Sequence, residues 1–101
     1  MKTIEKELAG WGNYPRAVCR VRHPETRSQV KDALAPGVVP RGLGRSYGDP
    51  AVNEGGLVLD CTALDRYLGF DEATGTLTCE ADTSLRQIID DFAPRGWFPM
   101  I

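Results

Sequence analysis

The sequence predicts a small α+β fold, and three local patterns support this prediction. Residues 17–24, "AVCRVRHP", alternate apolar and basic side chains as a half-buried strand does. Thr26 and Ser84 each stand three positions ahead of a glutamine, which is the spacing of a capping box, and an amphipathic run follows each of them. With 101 residues, 42% of them hydrophobic, the chain has the size and composition of one globular domain.

The first half of the chain is expected to form a β-α-β unit. A short helix is expected ahead of the first strand, and that strand ends at the His-Pro pair. The helix that begins at Thr26 stops at the segment 36–37, "PG", and a second strand begins at residues 38–40, "VVP". This order favours two parallel strands joined by a right-handed crossover.

The second half is expected to add strands, a hairpin and a helix. Residues 57–61, "LVLDC", form an apolar run bounded by glycines, which is typical of a buried strand. Residues 66–82 contain two β-prone runs around "EATG", where Gly75 would supply the hairpin turn. After Ser84 the apolar residues follow a helical period up to residues 94–96, "PRG". The apolar face of that helix comprises Leu85, Ile88, Ile89 and Phe92.

The charge balance argues against a nucleic-acid partner. Twelve basic and fourteen acidic side chains leave a formal net charge of −2, so the chain lacks the basic surface that binds a phosphate backbone. A small anion is still a candidate ligand, because Arg41 and Arg45 stand in a glycine-rich stretch with Asp49 only at its far end.

The cysteines and the N-terminal stretch favour a cytoplasmic protein. Cys19, Cys61 and Cys79 form neither a C-x-x-C pair nor a set with nearby histidines, so we expect reduced core residues and no metal site. The N-terminal stretch "MKTIEKELAGWG" lacks the apolar run of a signal peptide. No stretch approaches the roughly 20 apolar residues of a transmembrane segment.

The most distinctive stretch is residues 40–56, "PRGLGRSYGDPAVNEGG", which contains five glycines and two prolines. A Walker A loop would need a lysine after its last glycine, but Asp49 follows Gly48. A classical dinucleotide fingerprint would need a helix directly after its glycines, and Pro50 with the glycines at 55–56 leaves no room for one. Neither of these phosphate-binding motifs fits.

Two interpretations of this stretch follow from the residues alone. In the first, glycines without side chains turn successive backbone N–H groups toward one concavity, which makes a nest for an anion. Arg41, Arg45 and Ser46 would then add charged and polar donors. In the second, the glycines only form a surface turn, which is the commonest use of such residues.

A resemblance to a known family covers nearly the whole chain. The stretch "RGLGRSYGD" resembles the pyrophosphate loop of FAD-linked oxidases of the vanillyl-alcohol-oxidase type, whose flavin domain is called the PCMH-type FAD-binding domain. The likeness extends through "GWG" at 10–12, "NEGGLVLDCTALD" at 53–65, "EADTSLRQI" at 80–88 and "RGWFPMI" at 95–101. It implies that the fold is the N-terminal part of that domain.

The resemblance implies FAD as the cofactor, held by a loop that wraps its pyrophosphate mostly through main-chain N–H groups. By position, the residues implied to contact FAD are Arg41, Gly42, Leu43, Gly44, Arg45, Ser46, Tyr47 and Gly48, and Asn53 is expected to help close the loop. Some sugar and alditol oxidases of this type carry, at the position of Arg45, a histidine bonded covalently to the flavin. Arg45 cannot form that bond and His23 lies at a strand end outside the motif, so we expect non-covalent FAD in this segment.

Tyr47 is the one residue implied to approach the substrate, and it has two interpretations. Its ring would either pack beneath the loop or stand near the flavin with its hydroxyl toward the substrate. No other catalytic residue is implied within this chain.

The resemblance also implies what the parent protein does. It would be an FAD-dependent oxidoreductase that oxidises an alcohol carbon of a small-molecule or lipid-linked sugar by hydride transfer to flavin, with peripheral membrane association where the substrate is lipid-linked. The alternatives are a relative that acts on an alditol, a sugar lactone or a 2-hydroxy acid, and a non-catalytic binding or assembly module. The apolar end "WFPMI", residues 97–101, predicts that the chain is the first part of a longer domain, inactive alone, and that this end supports self-association.

Overall fold

The chain has an α+β fold, as predicted, and the computed structural model describes its residues 1–100. These residues form two compact units that divide between Leu64 and Asp65. The single domain expected over residues 1–101 stays a prediction. The strands are β1 (Ile4–Ala9), β2 (Arg16–Arg22), β3 (Val39–Arg41), β4 (Leu57–Asp60), β5 (Tyr67–Asp71) and β6 (Thr76–Cys79); the helices are α1 (Arg27–Ala33) and α2 (Leu85–Phe92), followed by a 3-10 turn at Ala93–Arg95.

The first unit contains a four-stranded mixed sheet in the order β1-β2-β4-β3. β2 and β3 both pair in parallel with β4, so the β-α-β unit has parallel strands as expected, but β4 lies between them. The central place of β4 follows from its composition, because Val58 and Leu59 are 0% and 1% exposed and need cover on both faces. Along β2 only alternate residues are buried, among them Cys19 and Val21.

The N-terminal segment is a strand, and the short helix expected there is wrong. β1 pairs antiparallel with β2 over its whole length, with Ile4 opposite Val21 and Leu8 opposite Ala17. Its glutamates, lysine and leucine suit a helix locally. The segment forms a strand instead, because pairing with the free edge of β2 satisfies backbone hydrogen-bonding groups there. This pairing also buries Leu8 in the core of the unit.

The predicted cap of α1 is present in a shifted form. The Thr26 hydroxyl accepts a hydrogen bond from the Gln29 backbone N–H at 3.1 Å. The Gln29 side chain accepts from the N–H of Glu25, at 2.7 Å, instead of reaching back to Thr26. Both bonds satisfy N–H groups at the start of a helix that directly precedes β3.

The second unit is the predicted hairpin and helix. β5 and β6 are antiparallel, and Gly75 supplies the turn with a left-handed φ of 73°. The Ser84 hydroxyl accepts from the Gln87 N–H at 3.0 Å and begins α2. On the inner face of this helix, Phe92 is buried and its ring lies 4.8 Å from that of Phe70. This close packing joins α2 to the hairpin.

The cysteines follow the sequence prediction only in part. All three are free thiols, as expected. Cys19 is a core residue, whereas Cys61 and Cys79 are partly exposed, so the core prediction is wrong for those two. Within residues 1–100, no helix combines the length and the apolar character needed to cross a membrane.

Candidate functional site

The glycine-rich stretch connects β3 to β4 and leaves the sheet at the carboxyl end of β3. Ligands of open α/β sheets usually bind at this end of the strands. Residues 42–56 contain no helix, as the spacing of Pro50 and the later glycines predicted. We call residues 42–49 the anion loop, because the sequence predicts that their backbone N–H groups form a nest for an anion.

The anion loop presents a continuous run of backbone donors. None of the N–H groups of residues 42–49 donates to an acceptor within residues 1–100. Gly44 and Gly48 have φ angles of 68° and 73°, in the left-handed region that turns a chain into a nest. A loop of this kind can bind a diphosphate without a lysine, because several N–H dipoles act on the same oxygens.

Arg41 lies beneath the anion loop and is already engaged with the backbone. Its Nη1 donates to the carbonyl oxygen of Ala51 at 3.0 Å, and its Nη2 donates to that of Ala9 at 2.9 Å. The side chain therefore connects the end of β3 to the end of β1 and to the far side of the loop. Sequence reasoning assigned this guanidinium to the cofactor; a direct contact with FAD stays a prediction.

Gly10 is a site residue that sequence reasoning did not single out. It is buried, and a Cβ built on it would overlap the Ser46 carbonyl oxygen and lie 3.0 Å from that of Gly48. The neighbouring Trp11 N–H donates to the Ser46 oxygen at 2.9 Å. The segment after β1 thus supports the anion loop from one side, and its only signal in the sequence was the "GWG" of the family resemblance.

Asn53 lies near the other end of the stretch and bonds to the backbone on both sides of it. Its Nδ2 donates to the carbonyl oxygens of Gly37 at 2.7 Å and of Leu57 at 3.0 Å. Its backbone N–H points to Cys19 Sγ at 3.4 Å. Both amide hydrogens are therefore used within the protein, which leaves only the side-chain oxygen for a cofactor, and the closing role expected for Asn53 stays a prediction.

Five side chains of the anion loop are exposed, namely that of Asp49, whose charge would repel an anion, and four that could contact one. The Arg45 and Ser46 side chains are exposed and have no hydrogen bond or ion pair in the described part of the chain. Leu43 and Tyr47 are 57% and 73% exposed. At that exposure the Tyr47 ring does not pack beneath the loop, and the placement of its hydroxyl near a substrate stays a prediction.

His23 lies close to Asp60, which also bonds to Thr62. His23 follows β2, as expected, and its Nδ1 lies 3.6 Å from Asp60 Oδ2. The other carboxylate oxygen of Asp60 accepts from the backbone and the hydroxyl of Thr62, at 3.1 and 2.6 Å. These bonds give Asp60 a local structural role.

Comparison with known proteins supplies three similarities. Residues 15–101 match the family described as "FAD binding domain". Decaprenylphosphoryl-β-D-ribose oxidase of Mycolicibacterium smegmatis is 39% identical over 98% of this chain, and L-gulono-1,4-lactone dehydrogenase of Mycobacterium tuberculosis is 30% identical over 84% of it. The matched regions are 23% and 22% of those proteins, so the chain spans about a quarter of the length of these relatives.

Proposed function

The chain belongs to the family of FAD binding domains, and from that premise we propose that it is the N-terminal part of the FAD domain of an oxidoreductase acting on an alcohol carbon of a sugar. One observation carries the proposal within this structure. It is the run of N–H groups in the anion loop, residues 42–49, at the carboxyl end of β3, which have no acceptor within residues 1–100. FAD contains a diphosphate, which is the anion that such a run of donors fits.

The roles of the loop residues follow from their exposure. The backbone of residues 42–49 would hold the diphosphate oxygens, and the exposed Arg45 and Ser46 would add a charged and a neutral donor. Arg45 carries no group that forms a covalent bond to a flavin, so this segment would bind FAD non-covalently. Tyr47, whose ring is 73% exposed, would contact a ligand beyond the loop.

When bound, FAD accepts a hydride from the substrate carbon, and the protein supplies orientation and removal of the proton. This chain would supply the orientation through the anion loop. Tyr47 is the one side chain that we assign to the substrate side.

The substrate class is proposed from the names of the relatives. One is an oxidase of a lipid-linked ribose and the other is a dehydrogenase of a sugar lactone, so both act on sugar derivatives. We propose a sugar or a sugar lactone for the parent protein, with an alditol or a 2-hydroxy acid as the alternatives. A cytoplasmic parent is consistent with three free thiols.

The proposal is tested by following the backbone amides of the chain by NMR during a titration with FAD. FAD should shift the amide signals of residues 42–49, whereas riboflavin, which has no phosphate, should leave them unchanged. Arg45→Ala should weaken FAD binding about tenfold, which corresponds to the loss of one hydrogen bond to a charged group. Arg27→Ala removes the same charge from an exposed position on α1 and should have no effect.

Besides the absence of any response of the loop signals to FAD, two results would overturn the proposal. One is equal shifts with FAD and riboflavin, because the diphosphate would then play no part. The other is shifts that fall outside the anion loop, because the binding site would then lie elsewhere.

A further inference from the structure

We infer that Arg41 is a positioning residue of this site: its guanidinium holds the anion loop in its binding shape by bonding to the backbone beneath it. The effect of Arg41 on FAD binding rests on the proposed function. The structural part of the inference rests on two contacts, Nη1 to the Ala51 oxygen at 3.0 Å and Nη2 to the Ala9 oxygen at 2.9 Å. These contacts join three separate segments of the chain at one side chain.

The two acceptors show why an arginine is needed. Ala51 is 7% exposed and Ala9 is partly buried, so their carbonyl oxygens depend on partners within the protein. A guanidinium is a rigid, planar fork whose two terminal nitrogens donate in different directions. A lysine keeps the charge but has a single ammonium group, so it cannot reproduce this pair of bonds with the same geometry.

Gly44 rests directly on this guanidinium. A Cβ built on Gly44 would overlap Nη2 and lie 2.6 Å from Cζ of Arg41. The guanidinium thus occupies the space that a side chain at residue 44 would take, so a larger residue there would have to displace it. The left-handed φ of 68° at Gly44 turns the peptide at the same point, so the fold of the loop and the position of the arginine depend on each other.

The charge of Arg41 is not neutralised by a neighbouring acid. Within residues 1–100, no carboxylate forms an ion pair with it. A partly buried guanidinium without a counter-ion beneath a set of N–H donors favours an anion above them. Arg41 thus shapes the loop through its bonds and adds to its positive potential through its charge.

The test compares Arg41→Lys with Arg45→Lys in the absence of FAD. Both substitutions keep the charge and remove a guanidinium, but only the first breaks bonds to the backbone. We expect Arg41→Lys to shift the amide signals of Gly10, Trp11 and residues 42–52, and Arg45→Lys to shift only its immediate neighbours. An Arg41→Lys spectrum with unchanged loop signals would overturn the inference. Unchanged signals of β4 serve as the check that the variant is folded.

FAD binding gives a second readout. Arg41→Lys should weaken FAD affinity about tenfold or more, because the donors of residues 42–49 would no longer be held in one arrangement. Gly44→Ala should displace the guanidinium, so its effect and that of Arg41→Lys should be strongly non-additive in a double-mutant cycle. Additive effects would mean that Gly44 and Arg41 act separately, and would also overturn the inference.

The two proposals fail in distinguishable ways. If wild-type loop signals do not respond to FAD, the proposed function is wrong, whereas the ligand-free comparison of the two lysine variants still tests the role of Arg41. If FAD binds equally to wild type and to Arg41→Lys, the positioning role is wrong and the FAD site stands.

Discussion

At the scale of single residues, the tightest contact between the anion loop and the backbone of another segment is at Gly10. A methyl group there would overlap the Ser46 oxygen, and both partners are backbone. We expect Gly10→Ala to lower the free energy of unfolding by about 1–3 kcal/mol, the usual cost of overpacking a well-packed site. It should also weaken FAD binding, because the loop must move away from the end of β1. Urea unfolding and an FAD titration measure the two effects.

Gly12→Ala is the matched control for this prediction. A Cβ on Gly12 meets only the Tyr47 ring, at 3.9 Å, which is an ordinary contact distance. We therefore expect nearly unchanged stability and FAD affinity for this variant. Equal effects of the two alanines would contradict the view that Gly10 is required by close backbone contact.

The raised pKa of Tyr67 predicts that the stability of the chain falls at alkaline pH. Burial, together with its hydrogen bond to Asp91, raises the pKa of Tyr67 from 10.0 to about 12. The folded chain therefore keeps the phenol proton where the unfolded chain loses it. The corresponding stabilisation is complete below about pH 10 and is lost as the pH rises through about 12.

The measurement for Tyr67 is urea unfolding at a series of alkaline pH values. Tyr67→Phe keeps the ring that packs edge-on against Phe92 and removes only the hydroxyl. The wild type should lose more stability than this variant between about pH 10 and about 12. Parallel pH profiles of the two proteins would count against this prediction.

At the scale of elements, the start of α2 depends on one hydroxyl. Ser84 accepts from the Gln87 N–H at 3.0 Å, and we expect Ser84→Ala to cost about 1 kcal/mol of stability, as loss of a helix cap usually does. Ser84→Asp keeps an acceptor and adds a charge that is favourable at a helix N-terminus, so it should retain the stability. Circular dichroism measures the helix content of both variants and follows their urea unfolding. Equal losses of stability in both variants would exclude a capping role for Ser84.

Elements with local signals could be predicted from the sequence, and elements set by distant partners could not. Thr26 and Ser84 predict where their helices begin, because each cap and its glutamine lie within one helical turn. β1 has no such local signal, because this segment becomes a strand through its pairing with β2. The position of β4 between β2 and β3 could not be predicted either, because it depends on which strand the folded protein buries on both faces of the sheet.

The same distinction applies to the candidate site. Glycines in "RGLGRSYGD" indicate where a backbone can approach an anion, so the position of the loop could be predicted. The direction of a long side chain depends on the folded surroundings. The bonds from the Arg41 guanidinium to the Ala9 and Ala51 oxygens could therefore not be predicted, and its contact with FAD stays a prediction.

At the scale of the whole molecule, the apolar end stays a candidate for self-association. Phe98 is 68% exposed and Met100 is fully exposed, whereas Trp97 packs edge-on against Phe70 at 5.3 Å; Ile101 lies outside the described residues. We expect the double substitution Phe98→Ser and Met100→Ser to reduce any association seen by analytical ultracentrifugation. Leu34→Ser, which removes another exposed apolar side chain, is the control. A monomeric wild type at all concentrations would contradict the prediction.

The net charge of the molecule determines how salt should affect FAD binding. The chain carries −2 overall and FAD is an anion, so attraction must come from Arg41, Arg45 and the N–H groups of the anion loop. The Debye length is about 10 Å at 0.1 M salt, so added salt screens the distant acidic groups before the adjacent donors. FAD affinity should therefore fall only modestly with salt, and Arg45→Ala should flatten that dependence while Arg27→Ala leaves it unchanged. A rise of affinity with salt in the wild type would mean that repulsion by the whole molecule outweighs the local attraction of the loop.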